Sequence, residues 1–155
     1  MKVMFVCHGN ICRSPMAEFI FKKMVRERHL EDKFEISSSA TSSEEIYRGI
    51  GNPIYPPAKR ELERRGVPYD KRCAVQLTRE DYGAYDMFVG MDSANIRNMH
   101  IIFGGDKENK IFKLMDFTSR GGDVADPWYS DRFDIAFDDI YEGCEGLLKS
   151  ISDKT

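Results

Sequence analysis

Cys7 and Arg13 stand six residues apart in the stretch CHGNICRS, and a thiol paired with a guanidinium at that spacing suits attack on a phosphate ester. Residues 3–7 lead in as a short, apolar, buried strand. His8, Gly9, Asn10, Ile11 and Cys12 form a tight loop, and Arg13, Ser14 and Pro15 open a helical pattern. Strand, loop and helix N-terminus together make an anion site, because unpaired backbone N–H groups converge at the positive end of the helix dipole. The same surroundings favour a thiolate at Cys7, the form that attacks phosphorus in line and gives a covalent phosphocysteine. Arg13 offers a planar fork to two equatorial phosphate oxygens, where lysine would offer a point charge. Those oxygens carry the charge of the transition state, so the clamp serves rate as well as binding. Ser14 is placed to donate to the Cys7 sulfur, to cap the helix, or both. Asn10 and Gly9 suit the left-handed backbone that tight anion loops need. His8, next to the nucleophile but pointing away along the chain, reads as loop surface. These residue types outline a phosphatase, with residues 8–14 as its phosphate cradle.

An alkoxide or phenoxide leaving group needs a proton, and its donor must lie elsewhere in the chain. Asp126 is the candidate, in the loop-rich stretch 118–131 and followed by Pro127, Trp128 and Tyr129. Pro127 restricts Asp126 to extended backbone. Trp128 and Tyr129 are placed to wall a slot for a flat ring.

The elements that hold these groups alternate between strand and helix. Apolar positions at helical spacing predict a helix over 14–28, with Ser14 as N-cap and Pro15 at the first helical position. Residues 34–36 read as a second strand emptying into the SSSATSS tract as a loop, and 42–57 as a long irregular loop. A short charged helix over 58–65 is stopped by Gly66. Residues 87–91 form a third strand and 111–114 a fourth. Asp92 or Ser93 caps a helix through Asn98, which makes Asp92 a cap before a catalyst. A final amphipathic helix covers about 131–152. This pattern implies an α/β three-layer sandwich, a four-stranded parallel sheet flanked by helices, with ligand beyond the carboxyl ends of the strands.

The chain of 155 residues is expected to be one domain, 1–155, with no internal repeat. A net charge of −3 without a basic stripe argues against nucleic acid as a partner. No apolar run is long enough to span a membrane, and His8 and Asn10 interrupt the N-terminal run before a signal-peptide core forms. Four cysteines without metal-ligand spacing point to a reducing cytoplasm and to no metal. No cofactor is implied.

CHGNICRSPMAE near the start, SSATS after the second strand, MDSAN after the third and DPWY before the last helix together resemble the low-molecular-weight protein tyrosine phosphatases, across nearly the whole chain. The resemblance implies metal-free hydrolysis of phosphate monoesters, with phosphotyrosine-containing proteins as substrates and a monomer or weak dimer as the assembly. By position it makes Cys7 the nucleophile, Arg13 the phosphate clamp and Asp126 the acid that later serves as base. Asn10 and Ser14 match residues that shape the loop and stabilise the thiolate. Ser38 matches a serine that braces the loop asparagine. Cys12 matches a second loop cysteine able to form a reversible disulfide with Cys7, a redox-sensitive pairing that shields the nucleophile from over-oxidation. Asp92 falls near the phosphate loop.

Departures from the family pattern bear on detail. Arg72 and Val75 occupy the histidine and arginine positions of a segment that helps hold the loop asparagine, so Asn10 is expected to be held differently. Glu44 stands where many relatives carry an aromatic wall residue, which leaves Tyr47 as its substitute, and 45–51 is longer than usual. Ile11, Trp128, Tyr129 and Tyr47 are then the expected substrate wall. The same fold hosts phosphoarginine phosphatases and thiol-dependent arsenate reductases. The former usually resemble CTGNTCRSP, with threonine where this chain has Ile11, and apolar Ile11 suits a phenyl ring. The latter need a cysteine relay, whereas Cys73 and Cys144 fall in contexts that favour the core.

Overall fold

Residues 1–153 are described by a computed structural model of the chain. Its centre is strand β1, Lys2–Cys7, whose residues from Val3 onward are buried on both faces. β1 pairs in parallel with β2 (Glu35–Ala40) on one side, in register from Lys2 opposite Glu35 to Cys7 opposite Ala40. On its other side it pairs in parallel with β5 (Met87–Gly90), which pairs in turn with β6 (Ile111–Lys113). The order β2-β1-β5-β6 is the four-stranded parallel sheet expected. Because side chains alternate along a strand, Val3, Phe5 and Cys7 enter one core cluster while Met4 and Val6 enter the other.

The larger cluster lies under helices α1 (Arg13–Glu27), α2 (Pro56–Arg64) and α6 (Phe133–Asp153), with Phe5 edge-on to Phe21 at 5.5 Å. Phe5 and Phe21 are fully enclosed, each contributing about 2 kcal/mol by removal of its ring from water. On the opposite face Met99 and Phe103 of α4 (Ser93–Phe103) pack on Phe88, completing the three layers. Asp92 caps α4 and closes a capping box with Asn95. Among the described residues no helix is long and apolar enough to cross a membrane.

Several local expectations are corrected. Ser14 does not cap α1: the helix begins at Arg13, Cys12 is the N-cap without a side-chain hydrogen bond, and Pro15 is therefore the third helical residue. The Ser14 hydroxyl is engaged by Cys7 instead. The serine tract is strand in its first part, since β2 runs through Ser37, Ser38 and Ser39 to Ala40, and becomes the expected loop only from Thr41. Pairing with β1 uses backbone groups, which polar side chains do not prevent. Within 42–57 a hairpin forms from β3 (Ile46–Tyr47) and β4 (Ile50–Gly51), turning at Arg48 and Gly49, both at positive φ (51° and 80°). That is the turn geometry whose twist matches paired strands. A one-turn helix α3 covers Asp81–Ala84, and a second, α5, forms at Pro127–Ser130 inside the 118–131 stretch. Cys144 is fully buried as expected, but Cys73 is exposed, on a segment that meets Pro53 by a single bridge at the surface.

Candidate active site

The turn between β1 and α1 wraps around the Cys7 sulfur. Asn10 N–H points at it from 3.3 Å and Ser14 N–H from 3.4 Å, while Ser14 Oγ lies at 2.9 Å. Asn10 takes the left-handed backbone, φ 58°, that its residue type tolerates. Its side chain then fixes the direction of a relay. The amide Nδ2 donates to Ser14 Oγ at 2.8 Å and to Ser38 Oγ at 3.0 Å, and Ser38 donates on to Glu18 at 2.6 Å. With an amide hydrogen already directed at its oxygen, Ser14 has its own hydrogen free for the sulfur.

The other end of Asn10 shows how this chain meets its departure at position 72. Arg72 donates through Nη1 to the Asn10 backbone carbonyl at 2.8 Å and through Nη2 to the side-chain Oδ1. Val75 supports the same Oδ1 with its backbone N–H at 3.1 Å, its side chain turning to solvent. Every polar atom of the Asn10 side chain is thus engaged. Burial lowers the affinity of Arg72 for its proton, against the pull of Glu18 and Cys7, yet guanidinium remains charged at any ordinary pH.

Arg13 projects into the cleft mouth with its side chain almost wholly enclosed. Nη2 meets Asp92 at 2.9 Å and Asp126 at 3.7 Å, and Nη1 donates to the Val124 carbonyl at 3.2 Å. Burial disfavours the charge on Arg13, but Cys7, Asp92 and Asp126 outweigh it and hold the guanidinium protonated beyond its ordinary range. Asp92, read as a cap, is both cap and ion-pair partner. Cys12 is different: burial first, and then the proximity of Cys7 and Asp126, push its thiol up to about 12, so at neutral pH it is a neutral thiol.

Asp126 has the extended backbone that Pro127 demands, φ −90° and ψ 104°, and caps α5 by accepting the Trp128 N–H at 3.0 Å. It shares one cleft of about 500 Å³ with Cys7, residues 8–13, Glu44, Glu45, Trp128 and Tyr129. Trp128 leans on Tyr55, ring centroids 5.1 Å apart, and Tyr55 in turn anchors the loop by donating its N–H to the Ile11 carbonyl at 2.8 Å. Tyr55 was not foreseen, because nothing in its sequence surroundings links it to a loop forty residues away. Ser14 and Ser38 lie beneath the loop and do not line the cleft. Tyr47 is not brought to the cleft at all: it sits on the β3–β4 hairpin, exposed, with Arg48 over its ring. The mouth on the side of the expected aromatic wall carries Glu44, paired with His8 at 3.0 Å, and Glu45. Among the described residues no cluster of three or more His, Cys, Asp or Glu is arranged to hold a metal ion.

Fold and loop together define an α/β phosphatase with a cysteine at the floor of its phosphate cradle. The family model for low molecular weight phosphotyrosine protein phosphatases matches residues 2–155, and the chain belongs to that family. It is 35% identical to the low molecular weight protein-tyrosine-phosphatase YfkJ of Bacillus subtilis, over 97% of this chain and 96% of that protein. The YfkJ crystal structure superimposes with a TM-score of 0.91, at 34% identity, covering 100% of this chain and 96% of that one. SP-PTP, the low molecular weight protein tyrosine phosphatase of Streptococcus pyogenes, is 37% identical with a TM-score of 0.83, covering 96% and 91%. The Drosophila arginine phosphatase DARP is more distant in sequence, 26% identical, with a TM-score of 0.84 and coverage of 97% and 98%.

Proposed function

We propose that the protein hydrolyses phosphotyrosine in proteins, and small aryl phosphates, through a phosphocysteine formed on Cys7. The observation that carries this reading is the sulfur itself, ringed by two backbone N–H groups and a serine hydroxyl, with Arg13 and Asp126 opening onto the same cleft. The thiolate attacks phosphorus, the bond to the phenolic oxygen breaks, and protonated Asp126 gives that oxygen its proton. Arg13 and the loop N–H groups hold the three nonbridging oxygens as charge spreads over them. Water then attacks the phosphocysteine, with Asp126 accepting its proton. The S–P bond breaks, phosphate leaves, and Ser14 steadies the departing thiolate. None of these steps needs a metal.

Ile11 and Trp128 both line the cleft, and an apolar lining suits a flat aryl ring better than a guanidinium, so this reading puts phosphotyrosine ahead of phosphoarginine or arsenate. A relay of thiols for arsenate finds no support in Cys144, whose thiol burial pushes up and keeps neutral. The reading takes the 155 residues as one catalytic domain, a monomer or weak dimer working in the cytoplasm, where its thiol stays reduced. Cys12 is the partner for an oxidised Cys7. Steady-state assay of an aryl phosphate with EDTA present tests the core of this. Wild-type turnover should be unchanged by chelator, and Cys7→Ser should abolish turnover while still binding phosphate or vanadate. Chelator-sensitive activity, or turnover surviving Cys7→Ser, contradicts the mechanism. Phosphotyrosine, phosphoarginine and phosphoserine peptides compared in the same assay rank the substrates.

A further inference from the structure

Asp139 is a carboxylate on the otherwise apolar inner stripe of α6, between Ala136 and Gly143, and it is 6% exposed. A buried charge is costly unless each oxygen finds a partner, and here both do. Oδ2 accepts the Ala125 N–H at 3.0 Å and Oδ1 accepts the Arg120 guanidinium, which Glu142 steadies from 3.2 Å. Ala125 is the residue immediately before Asp126. One position further back, the Val124 N–H donates to the Met91 carbonyl at 2.9 Å while its carbonyl takes Arg13. The approach to Asp126 is therefore pinned at consecutive peptide groups from three directions. Of these pins Arg13 lines the phosphate cleft, the Met91 pin is a backbone carbonyl, and Asp139 with Arg120 supplies the one made by side chains outside the cleft.

We infer that Asp139, braced by Arg120, is a positioning residue that sets Asp126 above the phosphate loop for proton transfer. The inference rests on the reading of Asp126 as proton donor. The alternative is that Asp139 merely ties α6 to the 118–126 segment for stability. The two differ in what the variants do across leaving groups. A misplaced acid hurts esters whose leaving group needs the proton and spares those whose leaving group departs unaided. A loosened fold hurts all alike.

The experiment measures kcat/KM on phenyl phosphate and p-nitrophenyl phosphate for wild type, Asp126→Asn, Asp139→Asn and the double variant. Asp139→Asn should lose about tenfold on phenyl phosphate and stay within about twofold of wild type on p-nitrophenyl phosphate. Added to Asp126→Asn it should cost almost nothing more, because two residues acting through one step are not additive. Arg120→Gln, at a half-exposed site, should show the same pattern more weakly and decides the matter in the same terms if Asp139→Asn does not fold. Equal losses on both esters, or additive losses in the double variant, overturn the positioning role and leave Asp126 as donor. If Asp126→Asn shows no dependence on leaving group, both readings fall together.

Discussion

Asn10 is the residue on which the cradle turns. It is left-handed, enclosed, and tied through its carbonyls to Arg72 and through its amide to Ser14 and Ser38. Arg72→Lys keeps the charge but offers one ammonium to two acceptors that a planar fork reaches together. Leaving a buried acceptor short costs about 1–3 kcal/mol, so kcat/KM on an aryl phosphate should fall about thirtyfold, taking the middle of that range into the transition state. Unchanged kinetics would mean that the Val75 N–H and the serines hold Asn10 by themselves. That Cys7, Arg13 and Ser14 come together was legible in the sequence because the loop is local and they lie within eight consecutive residues. Arg72 was visible only as a departure, with its partner 62 residues away. Asp139 carried one signal that was not taken up: 3.6-residue spacing puts it on the same stripe as Ala136 and Gly143, where an acid has to be partnered. Tyr47 shows the reverse error, an aromatic chosen for its type when the hairpin that bears it faces away.

At the level of elements, α6 packs directly on the 3₁₀ turn Leu114–Phe117, from which the segment carrying Asp126 departs. The approach is so close that a Cβ on Gly146 would lie 2.0 Å from the Phe117 carbonyl oxygen, and one on Gly143 2.5 Å from Leu114 Cγ. Alanine in a helix interior gains about 1 kcal/mol over glycine, but overpacking against fixed backbone costs about 1–3 kcal/mol. Gly146→Ala should therefore destabilise the protein, lowering the midpoint of urea unfolding. A raised midpoint would show that α6 does not seat there. Strands β1 and β5 and helix α4 could be read from apolar runs and a cap, and α6 from its period. β2 was cut short because its serines look like loop, although parallel pairing with β1 needs only their backbone. The β3–β4 hairpin was missed because its turn is Arg-Gly, not the Asn-Gly or Asp-Gly pair that signals such a turn most strongly.

Across the whole molecule, chain direction brings the chemistry to one place. From β1 the chain leads to β2 on one side, while β5 and β6 lie on the other, so the order reverses beside β1. Ligands bind where such sheets reverse, beyond the carboxyl ends of the strands, and the loops after β1, β5 and β6 bring Cys7 and Arg13, Asp92, and Asp126 there. That convergence was legible from the alternation of strands and helices alone, because topology, unlike a hydrogen bond, follows from the order of elements. The overall charge of −3 makes the attraction for phosphate a local property of the cradle. The proposed covalent step at Cys7 can be observed directly. Rapid denaturing quench of the wild-type protein turning over a ³²P-labelled aryl phosphate, followed by peptide mapping under conditions that spare the S–P bond, should place the label on the peptide that carries Cys7, as phosphocysteine. Label on any other residue, or steady turnover with no labelled peptide at any quench time, would contradict the account.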